Sequence, residues 1–562
     1  MTNLPLQLAR TLINRSNARG LLAVAICGAA TLAVTPATAL ADNDAATFWT
    51  QFAPSEDTRL IFVSSSQGSD TNSGFTPNEP VKTLDRAYEL LRDGHPDWML
   101  LRRGDVWYES LPRPTKSGRA PDEKLIIGAY GDDPNRPQIR PSDGENGMQA
   151  SGDDLIAHVA YVGLHLEPAS RDNSSTPVGI RWLAECDDIL FEDLYVAGFS
   201  GNVVFQAYPE SNTLTGIRLN GCVVVDSWST TGHSQGMFAK GVQGLLVEHS
   251  VFASNGFNAD RGAEPTIFNH NIYVQNGCNG LVFRDNIIAD ASSHGIQLRP
   301  GGVVENNLFI SNPLALLLGG GSYPEEGGVN GTVRNNLVMY GRDISDTLPR
   351  AFGFTVSNIR QADISNNYFT INTIGANRDA ISIGGDRDLR ITNLDVTHNM
   401  ILDWNGSINL EAPAAGQMIQ NVNISSNAFY RDMTTQDNRN LNKPFIEIFE
   451  GATESHIQIE NNEYNHFSMH DRPFRIGNTR TDADDWFRDV EPSGVNYELF
   501  APPPTLGLQQ YLQSYEVNGD MQDFIQHARQ LSRSRFDSKY TAASVIDWFE
   551  QETQSRAITL VE

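Results

Sequence analysis

The segment Phe268–Gly321 contains the same unit twice. His270-Asn-Ile-Tyr-Val-Gln275 aligns with His294-Gly-Ile-Gln-Leu-Arg299, and Asp285-Asn286-Ile287-Ile288 aligns with Asn306-Asn307-Leu308-Phe309. Each unit is a short alternating strand, a turn, a second apolar strand and an Asn. Such a unit cannot bury its apolar side alone, so copies must stack, which is the logic of a β-solenoid. Upstream, Gly236–Lys240, Asn202–Gln206 and Gly179–Trp182 occupy the same strand. Downstream, Asn336, Asn367, Asn399, Asn427 and Asn462 recur at intervals of about 20 to 35 residues, as expected of rungs with unequal loops. These Asn are read as turn residues that tolerate left-handed backbone and stack inside a corner, hydrogen-bonding along the axis.

A chain of 562 residues would ordinarily divide into several domains. A solenoid escapes that expectation because its core grows along one axis. The formal net charge of −27 argues against a nucleic-acid partner, whose phosphates need a basic face. It does not exclude an anionic substrate held by a local basic cluster.

Four segments are expected. Residues 1–41 read as a cleavable secretory signal: Arg10, Arg15 and Arg19 precede the apolar run Leu21–Val34, and Ala39-Leu40-Ala41 is a small-residue cleavage site. The run is too short and too poorly flanked to span a bilayer, so no membrane insertion is expected after cleavage. Residues 42–123 read as the N-terminal start and cap of the solenoid, with a helix from Thr83 to Leu91 whose N-cap is Thr83. Residues 124–476 are the solenoid proper, with loops at Pro141–Asp153, Ala169–Thr176, Tyr208–Thr215 and Gly256–Thr266. Residues 477–562 read as a linker, marked by Trp486-Phe-Arg-Asp and Pro502–Pro504, then a helical extension with helices over Leu508–Tyr515, Met521–Ser534 and Ala542–Thr553. The mature chain keeps Cys186, Cys222 and Cys278, an odd number. Cys222 sits inward in an apolar run and reads as a small core hydrophobe, and no spacing resembles a zinc site.

The stretch VSSSQGSD, then NSG, KTLDRAYELL and RRGDVWYES resembles the start of secreted right-handed parallel β-helix proteins, the pectate-lyase-like superfamily. With the Asn-rich rungs to about residue 470, the resemblance covers most of the chain. It implies an all-β, right-handed parallel β-helix whose open end is capped by an amphipathic helix, because a first rung would otherwise expose its interior and its strand edges. It identifies a superfamily and not an activity. Some β-helix lyases set calcium against the substrate carboxylate. Calcium is therefore a candidate cofactor, although no dense acidic cluster on these rungs assigns it a site.

Period-two alternation places Met237, Ala239, Ile272, Val274, Ile296 and Leu298 inward. One outward column then holds Arg181, Phe238, Tyr273 and Gln297; the next holds Gln206, Lys240, Gln275 and Arg299. Lys240 and Arg299 lie two rungs apart, about 10 Å. His270 and His294 start their strands, where alternation does not decide direction. Eliminating across a uronic-acid glycoside needs a cation to neutralise the carboxylate, a base for the C5 proton and an acid for the leaving oxygen. The expected catalytic set is Arg299 as carboxylate clamp, Lys240 or His270 as base, and Tyr273 as acid. Arg181, His233, Gln275, His294 and Gln297 are the expected substrate-binding residues. Three alternatives stay open: a C5 epimerase using the same proton abstraction, a glycoside hydrolase using paired carboxylates among Asp260, Glu264 and Asp290, and a non-catalytic carbohydrate-binding or adhesive solenoid.

Overall fold

The computed structural model describes residues 48–559, except 322–324, 373–377, 385–389, 414–417, 433–442, 453–455, 468–471 and 499–505. The expected signal segment, Cys27 and Pro502–Pro504 lie outside the described residues. Among the described residues three sheets of 15, 14 and 13 strands run the length of the chain. The first sheet runs from Leu60–Val63 to Ile457–Glu460, the second from Val106–Trp107 to Val495–Glu498, and the third from Met148–Ala150 to Thr479–Thr481. Each strand pairs in parallel with its counterpart one rung away, except for the terminal antiparallel pair Phe474–Ile476 and Thr479–Thr481. The chain is thus an all-β parallel helix, as expected. Two bounds differ from the expectation. The supposed loop Pro141–Asp153 contains the strand Met148–Ala150, the edge of the third sheet. Solenoid pairing also continues past residue 476, to Glu498.

The six positions expected to point inward are completely buried. An Asn ladder runs along one corner beside this core. The side-chain oxygen of Asn307 accepts from the backbone N–H of Asn286 at 3.1 Å and from its Nδ2 at 2.9 Å. The same pair of bonds then passes through Asn336, Asn367, Asn399, Asn427 and Asn462. The left-handed backbone falls one residue earlier than expected. Asp285, Asn306, Asn335, Asn366, His398, Ser426 and Asn461 take positive φ, which frees the following Asn to turn inward. A short polar side chain at the left-handed position is tolerated, so that position varies while the ladder position stays Asn.

Both ends of the core are closed. Helix α1 (Leu84–Leu90) starts at Thr83, whose side chain accepts from the N–H of Arg86, and buries Leu84, Ala87 and Tyr88. At the other end the stretch expected to be a linker is helix α2 (Ala483–Asp489). Its Trp486 is fully buried and stacks on Phe474 with ring centroids 4.5 Å apart. Glu491, just after it, terminates the ladder. It accepts from the backbone N–H and Nδ2 of Asn462, from Tyr464 Oη and from Trp486 Nε1, so the buried carboxylate is fully engaged.

Three further helices, α3 (Leu508–Ser514), α4 (Met521–Ala528) and α5 (Ala542–Thr559), lie against the outer face of the second sheet. Helix α4 stops at Ala528, earlier than the expected Ser534. The sequence reason for this docking is visible in the strands beneath: Val223–Val225, Ile287–Ala289 and Leu308–Ile310 are apolar at every position, the pattern of a strand buried on both faces. Partly buried ion pairs from Arg533 to Glu192 and from Arg529 to Asp226 join the helical layer to the solenoid. Cys186, Cys222 and Cys278 are buried free thiols, and burial pushes the Cys222 thiol up to about 12. No described helix is long and apolar enough to cross a membrane.

Candidate functional site

The third sheet turns its outer face away from the helical layer. There Arg181, Val204, Phe238, Tyr273, Gln297 and Leu317 follow one another in register on successive strands. The next column begins with Gln206 beside Lys240. It continues to Gln275 and Arg299, whose backbone N–H groups donate to Ala239 and Val274.

Tyr273 is the hub of this face. Its ring meets Phe238 edge-on at 5.5 Å and His270 at 5.3 Å, and the Arg299 guanidinium lies 5.0 Å from its centroid. Gln275 Nε2 donates to its hydroxyl oxygen at 2.9 Å, which leaves the phenolic hydrogen free to be given elsewhere. Arg299 Nε is buried without a hydrogen-bond partner. The guanidinium passes under Gly321, where a Cβ would stand 2.7 Å from that Nε at a φ of +98°. A side chain at this position would be strained by the backbone and would have to displace the arginine. Lys240 makes an ion pair with Glu210 at 3.0 Å, in a half-exposed setting that adds little stability.

The corner decides the direction of the two histidines. Asn271 turns inward: its Nδ2 donates to Ala289 O at 2.8 Å and its oxygen accepts from Asn255 at 2.9 Å. Gly295 holds the same position one rung on, where a Cβ would stand 3.1 Å from Ile288 and 3.2 Å from Phe309. Two consecutive residues therefore face the core, Asn271 with Ile272 and Gly295 with Ile296. The preceding His270 and His294 are displaced to the outer side, with Tyr273.

The two imidazoles lie edge-to-face with centroids 4.5 Å apart and with Nδ1 atoms 3.1 Å apart. Burial leaves them only 3% and 9% exposed. Burial, with the charges of His294, Arg299 and His233, holds His270 well below the ordinary imidazole range. Burial, with Arg350 and Arg299, pushes His294 down to about 3. Both rings are thus neutral at neutral pH. Gln235 fixes His270 from the rung before, accepting from its backbone N–H at 2.8 Å while donating to Phe268 O at 3.0 Å.

The other expected residues fall around this centre. Gln297 is in register beside Tyr273 but buried, and Arg181 is exposed two rungs before Phe238. His233 is exposed at the margin, its ring 5.5 Å from that of Phe268. Asp260 and Glu264 are exposed on the loop before His270, whereas Asp290 is engaged by Arg342 at 3.0 Å. Sequence reasoning missed Gln235, Ser293 and Arg350. Gln235 was within reach, since it aligns with His270 one rung earlier. Arg350 approaches from a loop distant in sequence, and no periodicity signals it. Among the described residues no group of His, Cys, Asp and Glu is arranged to hold a metal ion.

The family described as "Right handed beta helix region" matches residues 179–338, which include every strand of this site. No curated protein matches the chain. Among solved structures it is similar to a rhamnogalacturonan lyase at 15% identity, over 66% of this chain and 87% of that one, with a TM-score of 0.34. A lacto-N-biosidase from Eubacterium ramulus is similar at 14% identity, over 78% and 68%, with a TM-score of 0.30. A mannuronic acid specific polysaccharide lyase from human gut microbiota is similar at 11% identity, over 81% and 94%, with a TM-score of 0.40. Likeness at this level concerns fold alone. The three parallel sheets make the chain a parallel β-helix, and over residues 179–338 it matches the right-handed family model.

Proposed function

We propose that this chain is a secreted carbohydrate-active enzyme that cleaves a uronic-acid-containing polysaccharide by β-elimination. The observation that carries the reading is the chemistry of the bare face. Among the described residues, the two outward columns from Arg181 to Leu317 hold Arg, Lys, Tyr and Gln among apolar side chains and contribute no carboxylate of their own, the Glu210 carboxylate reaching Lys240 from outside the columns, in a chain of net charge −27. A hydrolase needs two carboxylates facing each other across the glycosidic bond. A lyase needs a cation for the uronate carboxylate beside proton-transfer groups. Arg299 fits the first need, because a guanidinium binds a carboxylate through two parallel hydrogen bonds. Tyr273 and the imidazole pair supply proton-transfer groups at its side. Secretion rests on the N-terminal segment 1–41.

The test is incubation of the purified protein with uronic-acid polymers while following the ultraviolet absorbance of the 4,5-unsaturated product. A rise supports elimination. Release of reducing ends without that absorbance would replace this reading with hydrolysis and turn attention to Asp260 and Glu264 on the flanking loop.

A further inference from the structure

We propose that His294 and His270 form a neutral relay that removes the C5 proton of a uronate and delivers a proton to its leaving O4 on the same face of the sugar ring, so that the enzyme takes uronates whose C5 hydrogen and C4 oxygen are cis. The inference rests on the lyase reading above and deepens it to a substrate class.

The hydrogen-bond network assigns the tautomers. The backbone N–H of His294 donates to His270 Nδ1 at 3.4 Å. His270 Nδ1 is therefore an acceptor, and in a neutral ring its hydrogen must be on Nε2. His294 Nδ1 lies 3.1 Å from that same acceptor and 2.9 Å from Ser293 Oγ. Two bare nitrogens would repel at that distance, so His294 Nδ1 carries the hydrogen and its Nε2 carries a lone pair. The pair thus presents one basic nitrogen and one N–H donor, from adjacent rungs on one side of a sheet. Neither Nε2 is among the buried nitrogens that lack a partner, and both rings keep some surface.

The proton count closes without a charged imidazole. His294 Nε2 takes the C5 hydrogen as a proton. The C5–H electrons form the C4–C5 double bond, and the C4–O4 bond breaks with its electron pair going to oxygen. The Nδ1 proton of His294 passes to His270 Nδ1, and the Nε2 proton of His270 passes to O4. Both rings end neutral with their tautomers exchanged, and exchange with water resets them. A relay of this kind suits a desolvated site bordered by Arg299, Arg350 and His233, where an imidazolium is disfavoured. It also explains why burial of the pair need not impair it.

Stereochemistry follows from the placement. Donor and acceptor stand side by side, so the C5 hydrogen and O4 must leave from the same face. Glucuronate and mannuronate residues have these two groups cis; galacturonate and guluronate have them trans. A C5 epimerase would need its proton donor on the opposite face of the ring.

The test has two arms. The first is nitrogen-15 NMR of the histidine-labelled full chain at neutral pH, with His270→Gln and His294→Gln providing the assignments. Both rings should be neutral, His294 protonated on Nδ1 and His270 on Nε2; an imidazolium or the reverse tautomers would overturn the relay. The second compares polymannuronate and polyglucuronate with polygalacturonate and polyguluronate. Unsaturated product should come from the cis pair of polymers, and each Gln variant should lower kcat by about 100- to 10,000-fold with KM nearly unchanged. Product from the trans polymers alone would overturn the relay and leave the lyase reading standing, whereas no product from any of the four would overturn both. A correctly folded His294→Gln that keeps a tenth of the turnover would also overturn it.

Discussion

The outer faces of the second and third sheets belong to the same rungs but carry opposite chemistry. On the second sheet Val223, Val225, Ile287, Ala289, Leu308 and Ile310 point outward and are buried under Leu508, Phe524, Ile525 and Phe549 of the helical layer. On the third sheet the same rungs turn out Phe238, Tyr273, Gln297, Lys240 and Arg299. The solenoid core is indifferent to this choice, because inward residues alone fill it. A rung can therefore give one outer face to packing against helices and leave another without them. The apolar face holds the helices, and the polar face does not.

The largest expected difference is in stability. Ile287→Asp on the covered face should cost about 2–5 kcal/mol in lost packing, with an unpaired buried carboxylate adding to it. Arg181→Asp on the bare face should stay within about 0.5 kcal/mol. Chemical denaturation of the two variants checks this, and equal losses would break the contrast. Next in size is the effect on turnover. Arg299→Ala should lower kcat/KM on a uronate polymer by about 100- to 1,000-fold, the loss of a buried charge partner worth a few kcal/mol, while Phe549→Ala should leave kcat/KM within a few-fold and act on the melting temperature.

A third contrast between the two faces is read through pH. His294 has its folded pKa pushed down to about 3 from an ordinary 6.5, so the unfolded chain binds the extra proton and stability falls as pH drops through that window. Asp285, under the helical layer, is pushed up to about 6 from 3.8 by burial, so the folded chain binds the extra proton and stability rises as pH falls between those values. The two slopes oppose each other in the wild-type chain. Stability curves for His294→Gln and Asp285→Asn should separate them, the first flattening the acid loss and the second steepening it. Curves that do not diverge would contradict the environments assigned to these two groups.

Much of the fold was legible in the sequence. The repeat Asn286, Asn307, Asn336 disclosed the stacking direction, and alternation placed Met237, Ile272 and Ile296 in the core, because rung period and strand period are local properties. The α2 helix was misread because Trp486-Phe-Arg-Asp was judged by composition, whereas its role is to seal the last rung against Phe474. The helical layer's docking site was written in Val223–Val225 and Ile287–Ala289, but a wholly apolar strand names no partner. The site was legible as two columns of residue types. The histidine pair was not, since Arg350, Ser293 and the His270–His294 contact depend on how loops and a corner close.

The linear chain already specifies a stacked solenoid, its interior columns and the concentration of Lys240, Tyr273, Arg299, His270 and His294 on neighbouring rungs. Those follow from periodicity, which a linear string records. The folded corner sets two residues in succession facing inward, which turns His270 and His294 out beside Tyr273. The tertiary structure alone also buries the two rings and brings them into hydrogen-bond contact, an environment that lowers both pKa values. The physical reason is that direction at a corner, burial and charge state arise from groups distant in the chain, and no local pattern encodes their sum.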